Sequence, residues 1–600
     1  MSSTNPHYQG PASLPSDYAL LSRVAGHNSE EDRTDADHLS DDGTDETVTP
    51  TDTFLRRRGS FLAPGEYYRP PNPTMGLPQS PPNEHTPLLL AVPRIEEEVD
   101  NNPALDLEPK YAMFFEEFGI LCRYALPVFG THMLEYTLVI APVISIGHIS
   151  TIALAAVSLG SMTASVTGYS IIQGFCSALD TMLPSAWTSS RPEFVGLWAQ
   201  RMTVVMAATL VPVIFTWMNA HSILLALRQD PEVARLASIY LRWATLGLPA
   251  YTFNCISRRY FQSQGLFAVP TRIILAVAPV NALLNYLLVW GPDSIRLGFI
   301  GAPIASAISF NLISLASLFY GIYFTPRTAW HPLSRRMFTS LGVLVHYGLS
   351  GVGQTASEWW AWELVALAAS LLGPLVLATQ SVLLVSASMT FQAPFALSVA
   401  TSVRIGNLLG EQKGKRAGVA ARTSIVIALG ISCFTSAMFM VFRHSWGRLF
   451  NNDEEVIQLT AKILPLVALF QVFDGNAAVT AGIFRAIGKQ FLGALLNLSA
   501  YYVIGIPFGV WLTFRWDMGL PGLWVGLTVS LVYCSFFGTG VCLKTDWDRQ
   551  VEKVNMRLQA DERARQAEMR KGGGMVEEGL GSGTDVAAGN ASVVGRETRD

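Results

Sequence analysis

Twelve apolar runs recur about every thirty residues between positions 121 and 543, and no soluble core accommodates such a pattern. Bounded by Gly, Pro and charge, they fall at 121–144, 152–182, 198–219, 233–256, 266–290, 299–324, 340–371, 376–402, 418–441, 457–483, 491–514 and 521–543. A helix needs roughly 20 mostly apolar residues to cross a bilayer, and each run supplies about that many. The expected fold class is an all-α integral membrane protein of twelve transmembrane helices. Loops assigned alternately place Arg191, Arg258, Arg259, Arg327, Arg335, Arg336, Lys413, Lys415, Arg416 and Lys489 on the side of both tails. The other side collects chiefly Arg228, Arg296, Arg443, Arg448 and Arg515, so both tails are expected in the cytosol.

Half of the 600 residues are hydrophobic and 15% are charged, but the average conceals a sharp division. Positions 1–110 are rich in Pro, Ser and Asp and read as a disordered cytosolic tail. A first lobe of six helices follows at 111–325, a cytosolic linker at 326–340, a second lobe of six at 341–545, and a C-terminal tail at 546–600. Within that tail, 545–571 reads as a solvated helix with a thin stripe of Val551, Val554 and Leu558. No apolar segment lies near Met1, so the first membrane helix is expected to act as its own insertion signal. A net charge of −4 with an acidic N-terminal run leaves no nucleic-acid footprint. The six cysteines lack paired or metal-like spacing and read as small core residues. No Walker loop, HExxH or CxxC pair is present, so neither ATP nor enzyme chemistry is implied; the site is expected to hold no metal and no cofactor.

The twelve runs read as six repeated. An offset of 223 residues lays Glu135-Tyr136 on Glu358-Trp359, and Leu154, Ala155 and Ser158 on Leu377, Ala378 and Ser381. Arg259 and Gln264 recur at the same spacing as Arg485 and Gln490. Repeated halves mark transporter architecture, with the binding site between them, and six helices per half keep the copies parallel.

The functional candidates centre on LSGVGQTASEWWAWELVALAASLL, residues 349–372. Glu358 and Glu363 lie at mid-depth there, where an ionisable side chain costs about 2.5–3.5 kcal/mol and faces a cavity or a partner. Five residues apart, they point roughly 140° away from one another. Either each lines or flanks a cavity, or one is satisfied by a neighbouring helix. Trp359, Trp360 and Trp362 offer faces over which an organic cation can gain about 2 kcal/mol, or else pack between helices. Gln380 on the next helix binds substrate or ties helices together. Asn281, Asn285 and Asn497 read as interhelical bonds, Asp180 as a cap or gate contact, and Arg404 as part of a polar interfacial turn.

Five stretches carry a resemblance to a known family: LEYTLVIAPVISIGHISTIALAAVSLGSM (134–162), SALDT (177–181), ASEWWAWE (356–363), ATSVRIGNLLG (400–410) and FDGNAAVTAGIFRAIGKQFLGALLNLSAYYVIGIP (473–507). In their order and spacing, the chain from about 115 to 545 resembles the MATE (multidrug and toxic compound extrusion) transporters, eukaryotic branch and fungal members most. The resemblance implies two six-helix bundles forming a V-shaped central cavity that exports organic solutes in exchange for protons or sodium. It places the family's carboxylates of the seventh helix on Glu358 and Glu363, and that of the tenth on Asp474. At Leu183-Pro184-Ser185-Ala186-Trp187 the chain departs from the family's glycine-containing turn, and no residue matches the bacterial first-helix aspartate; Glu135 sits near that place without inheriting its role.

A secondary-active antiporter driven by protons, taking organic cations, drugs or metabolites, is therefore the expected function. A non-transporting receptor or scaffold on the same helices, a sodium-coupled exporter and a lipid-linked flippase are the alternatives; the flippase would want a cationic cavity. The expected partners are a small organic substrate and membrane lipid, with the protein a monomer. A sorting adaptor could read Glu84, Leu88 and Leu89 in the N-terminal tail, where Arg57-Arg58-Gly59-Ser60 also fits a kinase site. The dileucine pattern favours the vacuolar membrane, with the plasma membrane as the alternative. Glu363→Gln and Asp474→Asn are expected to impair coupling or binding.

Overall fold

A computed structural model describes residues 110–147, 150–450, 453–563 and 565–566, and the tail motifs at 57–60 and 84–89 lie outside them. The described residues are helical with connecting turns. The first half comprises α1 (Lys110–Gly147), α2 (Thr151–Ala164), α3 (Ser170–Cys176), α4 (Leu179–Trp187), α5 (Phe194–Met218), α6 (Ala220–Ala226), α7 (Pro231–Ala244), α8 (Leu248–Ser263), α9 (Ala268–Trp290) and α10 (Gly301–Tyr323). The second comprises α11 (Leu341–Ser370), α12 (Pro374–Gly410), α13 (Gly414–Trp446), α14 (Glu454–Ala486), α15 (Gln490–Leu498), α16 (Ile506–Arg515) and α17 (Leu520–Leu543). A last helix, α18, covers 547–563.

Each expected apolar run is one crossing. Runs α2–α4 and α15–α16 are continuous segments relieved by π-helical turns at Ser165–Tyr169 and Ser499–Gly505. Among the described residues, ten crossings are long and apolar enough to span on length and composition alone. The pair α7–α8 and helix α11 are the more polar crossings, and they carry Arg258, Arg259, Glu358 and Glu363. Ends are set by local chemistry. Asp230 accepts from the amides of Glu232 and Val233 in front of Pro231, starting α7, and Ser150 accepts from the Ala153 amide to start α2. The turn from α11 to α12 passes through Gly373 at φ 107°, a conformation that disfavours any side chain.

The halves meet near the face where α1 begins and α17 ends, called here the terminal face. There α3 and α4 pack along α11 and α12. A Cβ on Gly174 would overlap the Val352 backbone, and one on Gly351 would overlap Ser177 and the Gly174 carbonyl. Small residues thus bring two backbones into contact, as in other helix pairs that pack without a hydrophobic driving force. Toward the opposite face α11 presents Trp359, Trp360, Leu364 and Leu367 as exposed side chains. Gly351→Val is expected to destabilise the protein by about 1–3 kcal/mol, since the Gly174 backbone carbonyl stands in the way as well as the Ser177 hydroxyl. The check is a thermal melt of the purified protein in detergent; a melt matching wild type would contradict the close approach.

The C-terminal helix departs from the sequence expectation. Rather than being solvated, α18 docks on the terminal face through the very stripe that appeared too thin to bury. Val554 is 6% exposed and packs in a cluster with Leu121, Leu408 and Ala417. Trp547 covers Gly414 and Gly418. On the other half Arg557 donates to the Thr181 carbonyl (3.3 Å) and the Ser185 hydroxyl (2.9 Å), and Arg565 pairs with Glu193 at 2.6 Å. The helix therefore spans both halves.

Candidate functional site

The seventh crossing, α11, is held against the eleventh by two bonds that the π-helical turn makes possible. Asn497 Nδ2 donates to the Gln354 carbonyl at 2.9 Å, and the Tyr502 hydroxyl donates to the Ser357 carbonyl at 3.0 Å. The wide turn lets the consecutive tyrosines serve different neighbours: Tyr502 grips α11 while Tyr501 is buried at 2% exposure. Between these anchors stands Glu358. It lies within electrostatic reach of Asp474 on α14, with Tyr501 near both carboxylates and Arg485 on the side toward the terminal face. Asp474 is 6% exposed. Among the described residues neither carboxylate has a hydrogen-bond or ion-pair partner. Asp474 is buried and Glu358 half-buried, so two carboxyl groups in mutual range stand here with no donor of their own among the described residues.

The structure separates the other candidates. Glu363, five residues on, is half-buried and does not join the Glu358–Asp474 group. Trp362 belongs to the interior, with ring centroids 5.6 Å from Phe470 and 5.9 Å from Trp524. Trp359 and Trp360 are 37% and 40% exposed, and Trp360 reaches across the halves, donating to the Val166 carbonyl at 3.1 Å within the first π-helical turn. Gln380 is buried and accepts from Trp524 Nε1 at 2.9 Å, so it ties α12 to α17. Asn281 donates to Ser309 at 2.8 Å and Asn497 to Gln354, the interhelical roles expected of them.

Two charged clusters were not assembled from the sequence. In the first half a cavity of about 210 Å³ opens among His132, Tyr136, Tyr251, Phe310 and Arg258. Glu135 sits in its wall, accepting from Arg258 Nη1 at 2.6 Å with His132 Nδ1 at 3.2 Å. Nearer the terminal face, Asp180 is shared: Arg259 Nε lies 2.9 Å from one oxygen and Arg485 Nε 3.3 Å from the other. Asp180 is therefore a contact between the halves. Around it, Thr181 donates to the Arg485 carbonyl, Gln490 Nε2 donates to the Ser177 carbonyl at 2.9 Å, and Thr188 donates to the Asn407 carbonyl at 2.8 Å. Arg404 is likewise more than an interfacial turn residue, since it clasps Glu117 of α1 with bonds of 2.8 and 2.6 Å.

Comparison with known proteins decides the family. The MatE family model matches twice, over residues 127–287 and 352–511. The chain belongs to the MatE family. It is a transporter, not an enzyme, and the two matches correspond to the two halves of the fold. An uncharacterized transporter of Schizosaccharomyces pombe is 36% identical over 75% of this chain and 84% of its own length. Multidrug and toxin extrusion protein 2 of Mus musculus is 31% identical over 74% and 77%. The crystal structure of the eukaryotic MATE transporter AtDTX14 superposes with a TM-score of 0.71 at 28% identity, covering 74% of this chain and 99% of that one. The twelve-helix MATE fold is thus the fold of this multi-pass membrane protein.

Proposed function

We propose that this MATE protein is a proton-coupled antiporter for organic cations, with Glu358 and Asp474 as the group that exchanges a proton for substrate. The observation that carries this reading is the pair itself: buried Asp474 and half-buried Glu358, neither with a donor among the described residues, and the exposed indoles of Trp359 and Trp360 next to Glu358 in the chain. Deprotonated, the pair attracts a monovalent cation and the indoles cover its apolar body. Protonated, it loses that attraction and releases the cation. A multidrug role is supported by its animal relatives, which are multidrug and toxin extrusion proteins. The acidic site argues against a pyrophosphate-bearing substrate. Sodium could take the proton's place at two carboxylates, so the test needs both arms. Purified protein in liposomes is given tetraethylammonium under an imposed pH gradient, then under a sodium gradient. Uptake driven by pH alone supports the reading; uptake driven by sodium alone rejects proton coupling.

The cation-rich loop side supports cytosolic tails, and the dileucine pattern at Glu84, Leu88 and Leu89 favours the vacuolar membrane over the plasma membrane. Replacing Leu88 and Leu89 by Ala is expected to move a tagged protein, expressed near its natural level, to the plasma membrane. If both forms lie at the plasma membrane, the vacuolar assignment is wrong.

A further inference from the structure

The charges on the terminal side of Glu358 balance only if that carboxylate is counted. Arg259 and Arg485, the arginines related by the repeat, converge on the single carboxylate of Asp180, and all three side chains are between 11% and 13% exposed. Their neighbours do not supply a second anion. On α8, Arg258 is already paired with Glu135. On α18, Arg557 faces Tyr347 and has Asp561 within reach. Cys176 and Cys255 are the remaining titratable groups beside Arg259. Arg485 donates through Nη2 to the Ser398 hydroxyl, which carries no charge. The remaining carboxylate within electrostatic reach of Arg485 is Glu358 on α11. Asp474, Tyr501 and Cys534 face Glu358 from α14, the π-helical turn and α17, and Asp474 is not among the groups facing Arg485.

We propose that Asp180 and Arg485 are positioning residues that form a charge-balanced lock between the halves, and that protonation of Glu358 releases it. With Glu358 ionised, two arginines meet two carboxylates and the closed terminal face is neutral. With Glu358 protonated, one buried positive charge has no counter-ion, and separating Arg485 from Arg259 becomes favourable. The direction is the one an antiporter requires. A proton entering from the side away from the terminal face unlocks the terminal face and leaves there, while a bound organic cation at the pair is exchanged for it. This rests on the proposed role of Glu358, but its test needs no substrate.

Spin labels on noncanonical residues at Thr328 and Lys413, exposed on the terminal face in different halves, read the opening in nanodiscs holding the full chain. Wild type is expected to shift from a short to a long distance as pH falls. Asp180→Asn leaves two arginines against Glu358 alone and is expected to be long at every pH. Glu358→Gln, a permanent mimic of the protonated form, is also expected to be long throughout. Arg485→Gln leaves two carboxylates against Arg259 and is expected to stay short throughout. The double variant Asp180→Asn, Arg485→Gln has no second arginine to repel Arg259 and is expected to stay short without a pH shift. A merely structural pair would open in both single variants and further in the double. That pattern overturns the lock, as does a wild type that ignores pH or a Glu358→Gln that titrates like wild type. If the lock holds while pH-driven tetraethylammonium uptake is absent, the substrate reading fails alone.

Discussion

Glu358→Gln is expected to leave a folded protein that no longer accumulates an organic cation against a pH gradient. One pH unit amounts to about 1.4 kcal/mol, so exchange of one proton for one monovalent cation sustains about tenfold accumulation. The Gln variant is expected to show no gradient-driven accumulation, because amide and carboxylic acid have similar shape but only the acid can lose its proton and let the terminal face close again. The fold has little reason to object: among the described residues Glu358 makes no bond that the substitution would break, and the anchors on α11 run through the Gln354 and Ser357 carbonyls instead. Glu363→Gln, made in parallel, is expected to retain most of the gradient, since Glu363 stands apart from Asp474 and Arg485. This reverses the weight that the sequence alone placed on Glu363. Tetraethylammonium uptake by liposomes at fixed gradients measures all three proteins. Wild-type accumulation by Glu358→Gln would move the proton group elsewhere.

The architecture was legible because it depends on short-range properties. Apolar runs of spanning length, Gly and Pro between them, and cations gathered in alternate loops are all properties of neighbouring residues. The repeat was legible as well, and it even exposed the matching arginines Arg259 and Arg485. Their meeting on Asp180 was not, because the bond joins positions more than three hundred residues apart and breaks the repeat's symmetry: one carboxylate serves both copies. The helical angle showed only that Glu358 and Glu363 could not occupy one face of their helix; which of them lies within reach of Asp474 depends on how α11 sits against α14. Glu135 shows the same limit, since its partner Arg258 lies on another helix. In α18 the stripe of Val551, Val554 and Leu558 was visible, but three residues cannot report whether a partner surface exists.

A second ion-pair tie across the closed face is the one at Glu117, and its removal has the second largest effect expected here. Glu117 is wholly buried at the start of α1, where it accepts from Arg404 Nε and Nη2 at 2.8 and 2.6 Å and from Arg416 Nε at 2.6 Å. Arg416 also pairs with Glu116 at 2.6 Å, which steadies one of the two guanidinium groups. Breaking a buried pair by removing one partner costs about 3–5 kcal/mol, because the remaining charge stays desolvated. Glu117→Ala leaves two guanidinium groups facing each other, though Arg416 is a quarter exposed and can turn to water. The lower end of that range, about 3 kcal/mol, is therefore the expected loss. Since α1 belongs to the first half and α12 and α13 to the second, the same change loosens the terminal face. A thermal melt in detergent reads the first effect, and the Thr328–Lys413 distance reads the second. Pairing Glu117→Ala with Arg404→Met is expected to recover part of the melt, because the new charge repulsion is gone, but not the distance, because the tie between the halves is still missing. Equal melts for Glu117→Ala and wild type would show that Arg404 and Arg416 are solvated as well without the carboxylate as with it.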